Sequence, residues 1–309
     1  MSDPRIIFAG TPEFAVASVS ALVDSGVTPV AVLTQPDRPA GRGKRLTASP
    51  VKRYAAGHDI PVLQPKTLRD EAAAAELEAL KPDLLVVAAY GLILPQNVLG
   101  IPTQGCLNVH ASMLPRWRGA APIQAAILAG DEQTGVCLMS MTAGLDCGPV
   151  FACEALAIGD TEMAGELHDR LAAAGGELLV KHLDEILRGE LEASEQDEDK
   201  ATYAPKIKNA DARLDWELPA EQLARAVRAF NPVPGAWFMI GDDRMKCWQA
   251  AVAKADNALP GTIIDAGPDG VVISCGSDAL NMLRLQRPGK RPVTAGEFAA
   301  GADLVGRRL

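Results

Sequence analysis

Residues 83–89 read DLLVVAA, an unbroken apolar run of strand length after its opening Asp83, set between Pro82 and the pair Tyr90-Gly91. So short and unbroken a run fits a central parallel strand buried on both faces. The start of the chain agrees with it. Residues 5–9 form a short apolar strand, residues 10–14 turn out of it, a helix pattern runs to about Ser25, and residues 29–33 make a second strand. Thr11 is placed to cap that helix, Pro12 suits its first turn, and Gly26 stops it. Strand, helix and strand in that order predict an α/β domain whose parallel sheet is joined by crossover helices. No G-x-G-x-x-G surrounds Gly10, so dinucleotide binding is a weak reading.

A further strand runs from Gly105 to His110, inside the stretch LNVHASMLPRWRG. Asn108 and His110 stand two residues apart, and strand side chains alternate with period two, so both project from one face at the strand's end. An amide donor beside an imidazole is a plausible catalytic pair. The plainer alternative is a strand end with a capped turn and two surface arginines, Arg116 and Arg118. The strand at residues 135–141 ends in TAGLDCGP, where two glycines and a proline bracket Asp146. In most proteins such a residue only makes a turn. A carboxylate at a second strand end could also reach an imidazole, fix its tautomer and stabilise its protonated form. His168 and His182, on the helix pattern at residues 163–187, have no metal-site spacing and read as surface or packing residues.

The net charge of −9 argues against a generic nucleic-acid binder, although distribution matters more than the total. Residues 34–53 hold Arg38, Arg42, Lys44, Arg45, Lys52 and Arg53 against the single acid Asp37. Pro36, Pro39, Gly41 and Gly43 speak against regular structure there. A basic loop leaving the carboxyl end of a strand points at the edge where open α/β sheets bind ligands. Either this is a solvated turn or it meets a phosphate-rich partner, and its density of basic residues favours the partner.

At 309 residues the chain is long enough for two domains. Residues 190–200 (ELEASEQDEDK) lack apolar periodicity and read as a linker or an exposed strap. Beyond them, a helix pattern at residues 220–230 precedes several short strands with turns between, the pattern of a small β-barrel. Residues 207–309 hold 13 basic and 12 acidic side chains, so the acidic excess lies before them. Six cysteines without a C-x-x-C pair read as buried or free thiols in a reducing compartment. The chain shows no secretory signal pattern and no membrane-length apolar run.

Read together, IFAGTPEFA, TQPDRPAGRGKRL, AAYGLILP, NVHASMLPRWRGAAPIQ, GLDCGP, YAPKI, RLDW and FNPVPGAW follow one another in an order that resembles the folate-dependent formyltransferases. The TQPDRPAGRGKRL loop and FNPVPGAW narrow the resemblance to the branch that acts on methionyl-tRNA. Two positions depart from the family pattern: Ala111 stands where glycine is usual, and Met113 where leucine is usual. The resemblance implies a Rossmann-like, mostly parallel α/β catalytic domain over residues 1–189, a linker at 190–206, and an OB-like tRNA-binding barrel over 207–309. It implies formyl transfer from 10-formyltetrahydrofolate to the α-amino group of initiator methionyl-tRNA. Asn108, His110 and Asp146 would be catalytic, and Ser112, Met113, Leu114, Pro115 and Leu92 would line the folate. Arg38, Arg42, Lys44 and Arg45 would meet the tRNA. No metal, no membrane, a monomer and a cytoplasmic location are also implied. Two alternatives stay open here. One is the same chemistry on another amine, a sugar nucleotide or a purine intermediate, for which the basic loop and tail would be superfluous. The other is a non-catalytic RNA-binding relative, against which the intact Asn108, His110 and Asp146 stand.

Overall fold

The computed structural model describes residues 4–40, 43, 45–255 and 258–309. It divides into two compact units, each taken by itself below.

The first unit gathers Met1–Pro122, Gln133–Ala157 and His168–Ala204. Its strands are β1 (Ile6–Gly10), β2 (Ala31–Leu33), β3 (Arg38–Ala40), β4 (Arg45–Thr47), β5 (Val62–Leu63), β6 (Leu84–Ala88), β7 (Cys106–His110), β8 (Arg118–Gly119), β9 (Gln133–Ser140), β10 (Val150–Ala157) and β11 (Tyr203–Ala204). The main sheet has the order β10-β9-β7-β6-β1-β2-β5. β7, β6, β1, β2 and β5 are parallel, and β9 runs antiparallel to both β7 and β10. This is the Rossmann-like, mostly parallel architecture the sequence predicts. β1, β6 and β7 are buried at every position, as strands covered on both faces must be. From β1 the chain builds outward through β2 to β5, then returns to β6 and β7. The order therefore reverses between β1 and β6, where sheets of this kind leave a binding crevice beyond the carboxyl ends.

Four local expectations change. Thr11 does not cap the helix Glu13–Asp24; Pro12 holds the N-cap position without a side-chain bond, and the Thr11 hydroxyl donates to the Tyr90 carbonyl at 2.8 Å. That bond ties the β1 exit to the β6 exit across the crevice, a long-range demand that local propensity cannot express. The basic loop is not irregular throughout, since β3 and β4 pair as an antiparallel hairpin. Asp37 anchors its base, accepting from Lys52 Nζ at 2.9 Å and from Gln64 Nε2 at 2.9 Å. The cysteines are not all free. Cys137 and Cys153 stand opposite each other on β9 and β10 and form a disulfide. Burial pushes the thiols of Cys106 and Cys247 up to about 12 and that of Cys275 to about 11. Finally, the polar segment after residue 190 does not hang free: Ser194 pairs with Val150, and β11 pairs with β8.

The second unit gathers Ile123–Glu132, Ile158–Leu167 and Pro205–Leu309. Its strands are β12 (Trp237–Ile240), β13 (Asp243–Ala253), β14 (Ile263–Gly267), β15 (Gly270–Ser274), β16 (Ala279–Gln286) and β17 (Val293–Thr294). They form an antiparallel half-barrel in the order β12-β13-β16-β15-β14, with β17 on β16. Phe238, Met245, Ile263, Ile273, Leu280 and Leu285 fill its core together with Leu223, Val227 and Phe230 of the helix Ala220–Phe230. The Asn231 amide, buried after that helix, donates to the carbonyls of Val227 and Cys247 at 2.8 and 3.0 Å. The helix end and β13 are thereby joined through one side chain.

Candidate active site

Asn108 and His110 lie on β7 and are almost fully buried, at 8% and 6% exposed. Asp146 comes from the loop after β9, the antiparallel neighbour of β7. Its Oδ2 stands 3.7 Å from His110 Nδ1. The other ring nitrogen, Nε2, lies 3.1 Å from the Trp117 carbonyl. A carbonyl only accepts, so Nε2 carries a proton and the Trp117 carbonyl sets the tautomer. Sequence reading gave that task to Asp146. Asp146 instead faces the second nitrogen at more than hydrogen-bond distance, and its Oδ2 accepts from the Gly119 amide at 2.8 Å. The Asn108 side-chain amide makes no hydrogen bond among the described residues, so its donors remain available.

The backbone around these groups is held in uncommon conformations. Trp117 (φ 62°) and Asp146 (φ 48°) are non-glycine residues in the left-handed region. Such positions persist when their surroundings over-determine them. Here the surroundings are the segment at residues 194–204. Thr202 Oγ1 accepts from the Trp117 amide at 2.9 Å. Gln196 Nε2 donates to the carbonyls of Asp146 and Gly148 at 2.9 and 2.7 Å. Two glycines make the fit possible. A Cβ at Gly148 would collide with the Ser140 carbonyl oxygen, and one at Gly119 (φ 111°) would sit 2.7 Å from that of Ala204.

Arg118 is not the surface residue of the plainer reading. It is 1% exposed and reaches Glu198 with both terminal nitrogens, at 2.9 and 2.7 Å, while its Nε donates to Gln196 Oε1 at 3.0 Å. The bidentate pair raises the guanidinium's already high pKa and holds the Glu198 carboxyl below its ordinary 4.5. A carboxyl depressed by folding stabilises the fold above its ordinary value and loses that contribution as pH falls through the depressed value. Glu198→Gln should therefore melt lower than wild type at neutral pH, and the difference should close in acid. Melting curves of both proteins across that range check it; a gap that persists in acid would assign the effect to something other than this charge.

The remaining predicted residues divide. At the β6 exit Leu92 is half-buried against the core, next to Ile93 at 77% exposed. Below them Tyr90 is buried, which pushes its phenol up to about 12 and keeps it neutral. At the β7 exit Leu114 and Pro115 are half-buried across a cis peptide. Ser112 spends its hydroxyl inside the turn, donating to the Arg116 carbonyl at 2.6 Å, and Met113 lays its thioether against Gly135 of β9. Ala111 does not have a left-handed backbone, so alanine fits where the family pattern has glycine. Arg38 and Arg45 are exposed on the two strands of the hairpin, without a carboxylate partner among the described residues. Arg42 and Lys44 lie outside the described residues. Among the described residues no three His, Cys, Asp or Glu side chains gather as a metal ion would need, and no helix is long and apolar enough to cross a membrane.

Missing from the sequence reading were Trp117, Gln196, Glu198 and Thr202. Nothing in the local pattern of residues 194–202 reveals that they pack on a site.

The formyl transferase family profile matches residues 4–183, and that of the formyl transferase C-terminal domain matches residues 206–303. Methionyl-tRNA formyltransferase of Thiobacillus denitrificans (strain ATCC 25259 / T1) is 53% identical over 309 residues, covering 99% of both chains. The enzyme of the same name from Stutzerimonas stutzeri (strain A1501) is 52% identical over 299 residues, covering 96% of this chain and 95% of its own. The chain belongs to the methionyl-tRNA formyltransferase family. Among solved structures, HypX from Aquifex aeolicus in complex with tetrahydrofolic acid superposes with a TM-score of 0.64 at 19% identity, which shows a shared fold. The alignment covers 97% of this chain, and the chain spans about half the length of HypX, 48% of it. Identity near one half over almost the whole chain separates the family from its more distant structural relatives.

Proposed function

We propose that this protein transfers the formyl group of 10-formyltetrahydrofolate to the α-amino group of methionine esterified to initiator tRNA. The observation that carries the reading is the meeting of His110 Nδ1 and Asp146 Oδ2, 3.7 Å apart, beside Asn108, which shares the His110 strand and whose amide has no hydrogen bond among the described residues. The folate supplies a formyl group on a nitrogen able to leave. The apolar residues at the β6 exit and the Leu114-Pro115 turn at the β7 exit suit a flat, partly apolar ring system. In HypX the same fold holds tetrahydrofolic acid.

The α-amino group of an aminoacyl ester is a weakly basic amine, largely neutral near neutral pH, so it attacks without a strong base. Negative charge then develops on the formyl oxygen, and Asn108 is a fixed donor for it. His110 gives its Nε2 proton to the Trp117 carbonyl as a hydrogen bond, which leaves the Nδ1 lone pair to take the proton of the attacking nitrogen. Asp146 faces that nitrogen and stabilises the imidazolium. Once protonated, Nδ1 is also a second donor for the oxyanion and the source of the proton for the departing nitrogen. No covalent bond to the protein is required. We take residues 1–189 to carry this chemistry and residues 207–309 to add tRNA affinity, in a cytoplasmic monomer.

A formyl-transfer assay with the folate donor, charged initiator tRNA and a competing sugar-nucleotide amine tests the reading. Transfer to tRNA is expected; transfer to the sugar amine alone would overturn it.

The hairpin supports the tRNA partner. By strand spacing its base lies roughly 15 Å along the same carboxyl edge from β7. Lys52 is committed to Asp37, and Arg53 to Glu13 and the Ala48 carbonyl. Among the described residues Arg38 and Arg45 have no carboxylate partner, and arginine can both grip phosphate and stack on an unpaired base. Arg42→Ala and Arg45→Ala should each raise the KM for methionyl-tRNA more than Arg53→Ala does. The salt dependence of tRNA binding should become shallower by about one unit of slope per lost phosphate contact, with folate binding unchanged. Unchanged tRNA kinetics and salt slope in both variants would return the hairpin to a solvated turn.

A further inference from the structure

We infer that Gln196, in the polar segment between the two family-profile regions, is a positioning residue for the Asp146 carboxylate. The inference rests on the proposed role of Asp146 and goes beyond the residues the family motifs mark.

Asp146 sits in a loop whose local sequence does not determine its conformation. Its φ of 48° is one that an L-residue with a side chain rarely adopts. Two of its atoms are fixed from outside the loop. Oδ2 accepts the Gly119 amide at 2.8 Å, and the backbone carbonyl accepts Gln196 Nε2 at 2.9 Å. The same Nε2 donates to the Gly148 carbonyl at 2.7 Å, so one amide group spans the turn on either side of Cys147. Rotating the Asp146 peptide would break that bond and swing the carboxylate away from His110 Nδ1.

Gln196 can hold the loop because its own amide cannot flip. Both hydrogens of Nε2 are used, and Oε1 accepts from Arg118 Nε at 3.0 Å. Arg118 is itself locked, buried to 1% exposure and bidentate to Glu198. Arg118 adjoins Gly119, whose amide is the other anchor of Asp146. A closed circuit results: Asp146 to Gly119, through the peptide bond to Arg118, across to Gln196, and back to Asp146. Each hydrogen in it is matched to one acceptor, with none of the ambiguity of a mobile surface glutamine. An acidic, polar strap that merely linked two domains would not need a half-buried glutamine with every polar atom engaged.

The physical consequence concerns catalysis and not binding. Gln196 has no hydrogen bond to His110 or Asn108, and it reaches the reacting atoms only through Asp146. Displacing a reacting group by about an ångström can cost about a hundredfold in rate.

Two variants test the inference. Gln196→Ala removes the bracket. Gln196→Glu keeps its size and its acceptor for Arg118, but sets a carboxylate oxygen against two carbonyl oxygens. Both should lower kcat for formyl transfer roughly tenfold to a hundredfold, leaving both KM values in place. In an Asp146→Ala background, Gln196→Ala should lower kcat no further, because the group it positions is gone. A merely structural residue would give the same fractional loss in either background. Amide hydrogen exchange supplies a readout independent of activity. The Gly119 amide is protected by Asp146 Oδ2, so either Gln196 variant should speed its exchange towards the rate in Asp146→Ala, while amides of β1 and β6 keep theirs. Unchanged Gly119 exchange in both variants, or multiplying losses of kcat, would overturn the inference. If the wild-type protein failed to formylate methionyl-tRNA, the functional reading would fall, and the exchange measurement would still decide whether Gln196 holds Asp146.

Discussion

Asn108→Ala is expected to lower kcat for formyl transfer about a hundredfold to a thousandfold, the usual cost of one oxyanion donor. The KM values for folate and methionyl-tRNA should stay near wild type. The charge that Asn108 meets exists only beyond the ground state, so the lost interaction is one realised in the transition state. The fold should survive the change. The side-chain amide has no hydrogen-bond partner among the described residues, so truncation orphans nothing. The loss is one of modest packing for a residue already buried on its strand. Asn108→Asp sharpens the experiment, since it keeps the shape and replaces the donor with an acceptor. It should be at least as inactive as the alanine variant. Single-turnover rates with saturating substrates check both. A raised KM at unchanged kcat would show that Asn108 binds the ground state and has no oxyanion to stabilise.

What could be read from the sequence was whatever a strand or a turn writes locally. The run at residues 83–89 contains β6 (Leu84–Ala88), which is buried at every position because a strand covered on both faces has no polar side to encode. The period-two spacing of Asn108 and His110 put both at the buried end of β7 for the same reason. Asp146 was visible as a carboxylate in a glycine-rich turn at a neighbouring strand end. The relations that orient these groups were hidden, because they join residues far apart in the chain. Thr11 looks like a helix cap and spends its hydroxyl on Tyr90 instead. Arg118 looks like a surface arginine until Glu198, far along the chain, covers it. Residues 190–200 look like a solvated linker because their apolar content is low, yet Gln196 works through hydrogen bonds, which leave no hydrophobic period. The Cys137–Cys153 bond depends on the β9–β10 register, which spacing alone does not give. The basic loop carried its charge pattern openly and hid its hairpin, since Pro39 and Gly43 speak against strands that pairing nevertheless allows.

The sharpest expectation concerns His110 and Asp146 taken together. His110→Ala removes the group that accepts and returns the transferred proton, a contribution worth about a hundredfold to ten-thousandfold in kcat. Asp146 carries two duties that one substitution can separate. Its charge faces His110 Nδ1, and its Oδ2 holds the Gly119 amide. Asp146→Asn keeps an acceptor for Gly119 and loses the charge, whereas Asp146→Ala loses both. If the charge matters most, the asparagine variant should fall nearly as far as the alanine variant while its Gly119 amide stays protected from exchange. If the scaffold matters most, asparagine should restore most of the activity. The position of Asp146 opposite the nitrogen that must become charged favours the first outcome. The double variant His110→Ala with Asp146→Asn then decides whether the two act as one unit. With no imidazolium to stabilise, the aspartate's charge has nothing left to do, so the double variant should be hardly slower than His110→Ala alone. Losses that multiply would mean that Asp146 serves a separate step, such as holding the water or the amine itself, and the pairing of His110 with Asp146 would lose its assigned meaning.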